Sequence, residues 1–335
     1  MRILIWGAGA IGGTLGAYLI RAGHDILFVD VVEEHVAEIN RAGLQIAGPV
    51  DEFTVGAGAV LPHQLGEKYP IVLLCTKAQH TKAATEALVD FLADDGYVMS
   101  VQNGLNELII REIVGGERTL GAFINFSADY HEPGKILFGG RGAVVVGELN
   151  GAITRRLEEI GAAFRDFDED TIVTEDLWGY LWGKEAYGAM LFLSALTNES
   201  IADALADPSY RDLYIRAAQE VLEVAAEIGV EARGFNGFEP AAFVANDTDG
   251  IKRSLDTLVA FNRRSAKTHS GIWRDLAVRK RRTEVIMYEP ILTQGEKIGL
   301  DLPLTRRWIE MIREIEDGRR PQALGNLDEL KAALP

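Results

Sequence analysis

The stretch RILIWGAGAIGG, residues 2–13, constrains this chain more than any other part of it. An apolar run of strand length ends at Trp6, and glycines stand at Gly7, Gly9 and Gly12. The amphipathic segment AIGGTLGAYLIRAG follows. A strand that enters a glycine turn and leaves it as a helix is the opening unit of a parallel α/β sheet. Each glycine has a separate physical reason. Gly7 allows the tight turn, Gly9 lets the backbone approach a pyrophosphate, and Gly12 lets the helix pack on the strand. The free N–H groups of Ala10 and Ile11 and the positive end of the helix dipole complete an anion site. The same residues also read as a tight turn that holds no ligand.

The alternation continues through the first 150 or so residues. ILFVD, IVLLCT and YVMSVQ read as buried strands, EEHVAEINRAG and HTKAATEALVDFL as helices, and FTVGAGAV as one extended strand. Residues Thr119–Gly147 look β-rich, with HEPGK and FGGRG as punctuation. After about Asp168 the texture turns helical, in five segments: Thr174–Asn198, Ser209–Gly229, Ile251–Ala266, Ile272–Gly299 and Leu304–Gly318. The expected fold is an α/β N-terminal domain built on a Rossmann-type parallel sheet, plus an all-α C-terminal domain. The expected boundaries are 1–168 for a dinucleotide-binding domain, 169–318 for a helical domain, and 319–335 for a tail.

Asp30 closes the second strand, eighteen residues after Gly12. An acid there can accept hydrogen bonds from an adenosine ribose, and it would repel a 2′-phosphate. The following VVEEH brings no arginine or lysine to compensate. This favours NAD(H), with NADP(H) the alternative. Asp30 also reads as a solvated residue or as the N-cap of the next helix.

Composition narrows the function classes. A formal net charge of −16 opposes nucleic-acid binding. Cys75 is the only cysteine, which excludes a disulfide within the chain and favours a reducing, cytoplasmic setting. The six histidines lack zinc-type spacing, so no metal site is expected. The N-terminus does not read as a signal peptide, and the Met190–Leu196 run is too short to span a bilayer, so no membrane partner is expected.

One stretch stands out in the second half. LWGKEAYGAMLFL, from Leu181, is nearly all apolar but contains Lys184. Leu177, Leu181, Gly188 and Leu191 share its helical face. Gly188 leaves room beside the lysine stem, while Gly179 and Gly183 suggest close approach by another segment. Periodicity alone leaves Lys184 balanced between a lysine with its head in water and a functional ammonium. Glu284 follows the basic run Arg279–Arg282 and reads equally as a solvated partner of those arginines.

Taken in order, GAGAIGG, CTKAQHT around Lys77, VQNGLNE around Asn103, LWGKEA around Lys184 and RRTEV around Glu284 resemble the ketopantoate reductase (2-dehydropantoate 2-reductase) family over nearly the whole chain. The resemblance implies a nicotinamide-dependent oxidoreductase with its site in the cleft between a Rossmann domain and a helical domain, in many members a homodimer, and so gives residues 169–318 to substrate binding and dimerisation. It implies that Lys184 is the catalytic lysine, that Asn103 lies near the nicotinamide ribose and substrate, and that Glu284 hydrogen-bonds the substrate hydroxyl. Lys77 falls beside the cofactor, and Gly7, Gly9 and Gly12 form the phosphate loop.

Three positions depart from the family pattern. Asp30 stands where NADP-using members usually have a basic residue. Gly188 stands where many members have a substrate-binding asparagine. Ser270 lies fourteen residues before Glu284, where the family's carboxylate-binding serine lies twelve before. His269 and Ser270 lead a helix, and read either as contacts for a substrate carboxylate or, more simply, as an N-cap.

A protonated lysine near a carbonyl that receives hydride stabilises the developing oxyanion and donates its proton. The leading expectation is therefore an NAD(H)-linked reductase of a small 2-oxo acid or related ketone. An NADP-dependent 2-dehydropantoate 2-reductase is the alternative. A nicotinamide-binding sensor without turnover is a third reading, disfavoured because a sensor needs no proton donor.

Overall fold

The computed structural model describes residues 1–264 and 268–333. Two compact units divide between Leu177 and Trp178.

The first unit alternates strand and helix in chain order: β1 (Arg2–Trp6), α1 (Ala10–Arg21), β2 (Asp25–Val29), α2 (Glu33–Ala42), β3 (Leu44–Ala47), β4 (Phe53–Val55), β5 (Gly58–Val60), β6 (Tyr69–Leu74), α3 (Thr81–Leu88), β7 (Leu92–Ser100), α4 (Glu107–Val114), β8 (Thr119–Ile124), β9 (Ser127–Glu132), β10 (Lys135–Gly140), β11 (Val144–Glu148), α5 (Arg155–Arg165) and β12 (Ile172–Thr174). Eight strands form one sheet in the order β12-β11-β8-β7-β6-β1-β2-β5. Neighbours run parallel except at β8 and β11.

Alternation along β1 explains why this sheet is covered on both faces. Ile3 and Ile5 enter an apolar layer with Leu15 and Tyr18 of α1 and Ile160 and Phe164 of α5. Leu4 and Trp6 enter the opposite layer with Leu88 of α3 and Ile110 of α4. Strands buried on both faces read as continuous apolar runs, which is how RILIW and IVLLCT look in sequence.

A second sheet, ordered β4-β3-β10-β9, corrects one expectation. FTVGAGAV is two strands rather than one. Phe53–Val55 pairs antiparallel with β3 in the small sheet, and Gly58–Val60 pairs parallel with β2 in the large one. The chain changes sheets in its glycine-rich middle, where few side chains hold a strand straight. β12 pairs with β11, so the first unit runs past the boundary expected at Asp168.

The second unit is helical: α6 (Leu177–Ala195, entered from the first unit), α7 (Ile201–Ala206), α8 (Arg211–Glu227), α9 (Pro240–Val244), α10 (Thr248–Arg264), α11 (Gly271–Ala277), α12 (Glu289–Ile298), α13 (Pro303–Glu316) and α14 (Gly325–Ala332). The helix expected over Ile272–Gly299 is two helices. Between them Lys280 adopts φ +50°, and a 3-10 turn covers Val285–Tyr288. Arg279 and Arg281 both reach Asp275 at 2.9 Å, and Arg282 reaches Glu316 and Asp317, so the basic run is drawn into separate ion pairs. Pro290 stands in the first turn of α12, where its missing N–H costs nothing.

The segment expected as a tail carries α14, which buries Leu327 and Leu330. Asn326 donates to the Leu196 carbonyl at 2.8 Å, tying this segment to the chain beyond α6. Ser265 and Ala266, part of an expected helix, lie outside the described residues, as do Lys267, Leu334 and Pro335.

The close approach suggested by Gly179 and Gly183 is present. The Arg233 N–H donates to the Gly179 carbonyl at 2.8 Å, and a Cβ on Gly183 would run into the Arg233 carbonyl. Gly183→Ala is therefore expected to cost roughly 1–3 kcal/mol of stability, read as a lower urea midpoint at an unchanged slope.

Candidate active site

Four adjacent strands, β2-β1-β6-β7, bring their carboxyl ends to one edge of the large sheet. Those ends carry Asp30, the Gly7–Gly12 loop, Cys75–Lys77 and Gln102–Asn103. These strands are parallel, but the sheet grows in opposite directions on either side of β1, through β2 on one side and β6 on the other, which makes the edge beside it the usual ligand site of a doubly wound sheet. Hydrogen bonds continue past the strands: Gly7 N–H to Val29 O at 2.8 Å, Cys75 N–H to Trp6 O at 2.8 Å, and Val101 N–H to Leu74 O at 2.9 Å.

The three motif glycines separate by cause. Gly7 has φ +107°, and a Cβ there would lie 3.0 Å from Thr76 N. A Cβ on Gly12 would collide with the Gly7 carbonyl and sit 2.8 Å from Cys75 Cβ. Both are required by the chain itself. A Cβ on Gly9 would meet nothing within 4 Å. Gly9 therefore has no packing reason to be glycine, and the open space beside it suits an approaching phosphate. No side chain caps α1, so the N–H groups of Ala10 and Ile11 begin the helix without a side-chain acceptor.

Asp30 is half-buried and ties two segments together. Its Oδ2 accepts from the Ala8 N–H at 2.8 Å, inside the glycine loop, and its Oδ1 accepts from the Val32 N–H at 3.0 Å. It is not the N-cap of α2, which is Val32. Each carboxylate oxygen retains a lone pair, enough acceptor capacity for ribose hydroxyls.

Lys77 and Asn103 are exposed on the loops after β6 and β7. A buried polar network that sequence reasoning missed joins these loops. Gln102 Nε2 donates to Thr76 O at 2.8 Å and to Thr81 Oγ1 at 2.9 Å. Thr81 donates to Asn106 Oδ1 at 2.8 Å, and Asn106 Nδ2 donates to the Asn103 carbonyl at 2.6 Å. The available signal was polar residues directly following the apolar strand YVMSV. Burial pushes the Cys75 thiol up, away from the thiolate. Its role is packing beneath Gly7 and Gly12.

In the second unit Lys184 is half-buried on α6, on the same face as the buried Leu177 and Leu181. The room expected beside it is occupied. A Cβ on Gly188 would lie 2.7 Å from the Tyr288 hydroxyl. That hydroxyl donates to the Glu185 carbonyl at 2.6 Å, and burial raises its pKa well above the usual tyrosine value. Phe192 and Trp308 hold the Tyr288 ring, with centroids 5.2 and 4.7 Å away. Glu284, half-buried, precedes the 3-10 turn that ends in Tyr288. Tyr288 thus links the Glu284 turn to the Lys184 turn of α6.

His269 and Ser270 stand at the head of α11. Ser270 Oγ accepts from the Trp273 N–H at 3.1 Å, as the N-cap of α11. His269 Nε2 lies 3.2 Å from the Asn198 carbonyl, and its ring lies against Trp273 with centroids 4.0 Å apart. Asn198 follows the end of α6, roughly 20 Å along the chain from Lys184 at helical rise. These contacts are those of a helix cap. Among the described residues no group of three or more His, Cys, Asp or Glu side chains could hold a metal ion, and no helix is long and apolar enough to cross a membrane.

Comparison with known proteins gives the family and the fold. The family described as ketopantoate reductase PanE/ApbA matches residues 3–151, and its C-terminal counterpart matches residues 176–316. A 2-dehydropantoate 2-reductase from Archaeoglobus fulgidus is 28% identical over 324 residues, covering 95% of this chain and 98% of the relative. One from Pyrococcus horikoshii is 27% identical, covering 91% and 94%. A 2-dehydropantoate 2-reductase structure from Geobacter metallireducens superposes with a TM-score of 0.80 at 25% identity, covering 94% and 99%. A ternary structure of D-mandelate dehydrogenase with NADH and anilino(oxo)acetate shares the fold, with a TM-score of 0.82 at 21% identity and coverage of 95% and 99%. The chain belongs to the ketopantoate reductase family of NAD(P)-dependent oxidoreductases.

Proposed function

We propose that this chain transfers hydride between NAD(H) and the carbonyl or hydroxyl of a small 2-oxo acid or related ketone, with Lys184 as the general acid and base. The observation that carries the cofactor preference is the Asp30 carboxylate, bound to the Ala8 N–H at the carboxyl end of β2. Val31, Val32, Glu33 and Glu34 follow it and bring two further carboxylates and no cation. A ribose 2′-hydroxyl gains an acceptor there, whereas a 2′-phosphate meets like charge.

A bound nicotinamide supplies the hydride. The chain supplies the rest. The Ala10 and Ile11 N–H groups and the open face of Gly9 receive the pyrophosphate. Asn103 and Lys77 extend from the loops beside it. The Lys184 ammonium donates its proton to the carbonyl oxygen as charge develops there, and takes it back in the reverse direction. Glu284 accepts a hydrogen bond from the substrate hydroxyl and orients it.

A second reading, an NADP(H)-dependent 2-dehydropantoate 2-reductase, draws support from the names of the relatives in Archaeoglobus and Pyrococcus. Against it stands Gly188, where many members carry a substrate-binding asparagine and where the Tyr288 hydroxyl is turned inward to the Glu185 carbonyl. A substrate recognised without that amide favours the first reading.

Steady-state rates with NADH and NADPH against ketopantoate and a series of 2-oxo acids test the two readings directly. NADPH selectivity with ketopantoate as the best substrate would sink the first. Lys184→Ala is expected to retain NADH binding and lose roughly 10²–10⁴ in kcat, and turnover equal to wild type would remove its assigned role. Asp30→Ala is expected to lower the NADH:NADPH preference by roughly ten-fold or more, measured as a ratio of kcat/KM values. Gly9→Ala is expected to keep the wild-type Tm while weakening NADH binding by about ten-fold or more, seen in a fluorescence titration.

A further inference from the structure

One buried titratable side chain has no part in the chemistry above, yet it touches the loop that serves it. His35, on the first turn of α2, is 1% exposed. Its Nε2 lies 2.9 Å from the Ala8 carbonyl oxygen. Its Nδ1 accepts from the Gly134 N–H at 2.9 Å, at the turn between β9 and β10. The Gly134 amide can only donate, so Nδ1 carries no proton and the Nε2–H donates to Ala8. The half-exposed Tyr130 ring of β9 stands edge-on to the imidazole, with centroids 5.1 Å apart, and holds its plane.

Ala8 stands between Gly7 and Gly9, and its backbone is held on both sides. Asp30 accepts from its N–H at 2.8 Å, and His35 donates to its carbonyl. Backbone with two flanking glycines is otherwise free to rotate, and every rotation swings the N–H groups that a phosphate must meet. We propose that His35 is a positioning residue that presets the phosphate-binding loop for the dinucleotide by holding the Ala8 carbonyl, with the β9–β10 turn as its anchor. The same histidine thereby couples the small sheet to the cofactor edge of the large one. The proposal rests on the reading of this chain as a nicotinamide-nucleotide enzyme.

Two substitutions separate the two bonds of the ring. His35→Gln can place an amide donor where Nε2 stands and keep the Ala8 bond. His35→Asn can place an acceptor where Nδ1 stands and keep the Gly134 bond, but it does not reach Ala8. The full-length wild type and both variants are titrated with NADH by fluorescence and melted by circular dichroism. H35Q is expected to bind NADH within about two-fold of wild type, and H35N roughly five- to ten-fold more weakly, with kcat at saturating NADH nearly unchanged in both. In H35N, amide hydrogen exchange is expected to quicken in the Gly7–Gly12 peptide and to stay unchanged in β6 and β7. Wild-type affinity in H35N, equal weakening in the two variants, or an H35N chain that does not fold overturns the proposal and leaves His35 as a packing residue. A wild-type protein that binds neither NADH nor NADPH instead overturns the proposed function itself.

Discussion

The contact on which the carboxyl edge of the large sheet depends is the approach of α1 to the end of β1. It is possible only because residue 12 has no side chain. A Cβ at Gly12 would strike the Gly7 carbonyl and crowd Cys75. With that contact made, the first turn of α1 begins directly beyond β1, and the loop before it is short enough for neighbouring strands to grip. Asp30 from β2 and His35 from α2 hold Ala8 from two sides, while Cys75 after β6 packs underneath. The loop is therefore backbone fixed by packing and hydrogen bonds, which is the pre-organisation that the proposed phosphate site needs.

The second unit solves a different problem. A lysine stem on an apolar helix face must have its neighbours shaped around it. Glycines at 179 and 183 admit the Arg233 backbone on one part of α6, and Gly188 admits the Tyr288 hydroxyl on another. Trp308 and Phe192 fix the tyrosine, and the tyrosine fixes the turn that begins at Glu284. The same phenol that joins Lys184's helix to Glu284's turn fills the place of an amide that many family members use on substrate. The shape of α6 beside the lysine is thus set in part by one side chain.

Much of this was legible in the residue order. The buried strands after residue 2, the helix that follows the glycine turn and the helical second half follow from apolar periodicity, which depends on near neighbours only. Where two sheets competed for FTVGAGAV, or ion pairs divided the expected helix after Ile272, periodicity could not see the partners. Glu316 and Asp317 lie 34 and 35 residues beyond Arg282, and their pull on it exists only after folding.

By itself the sequence determined the strand–glycine–helix opening, the acid at the end of β2, the family motifs and their order, because each is written in local spacing and residue type. Only the tertiary structure decided that Gly9, alone of the three motif glycines, faces open space, that Asp30 and His35 clamp Ala8, that Gly188 makes room for Tyr288, and that Ser270 caps α11. Those facts depend on which distant atoms come within a few ångströms of one another, and spacing along the chain does not encode that distance.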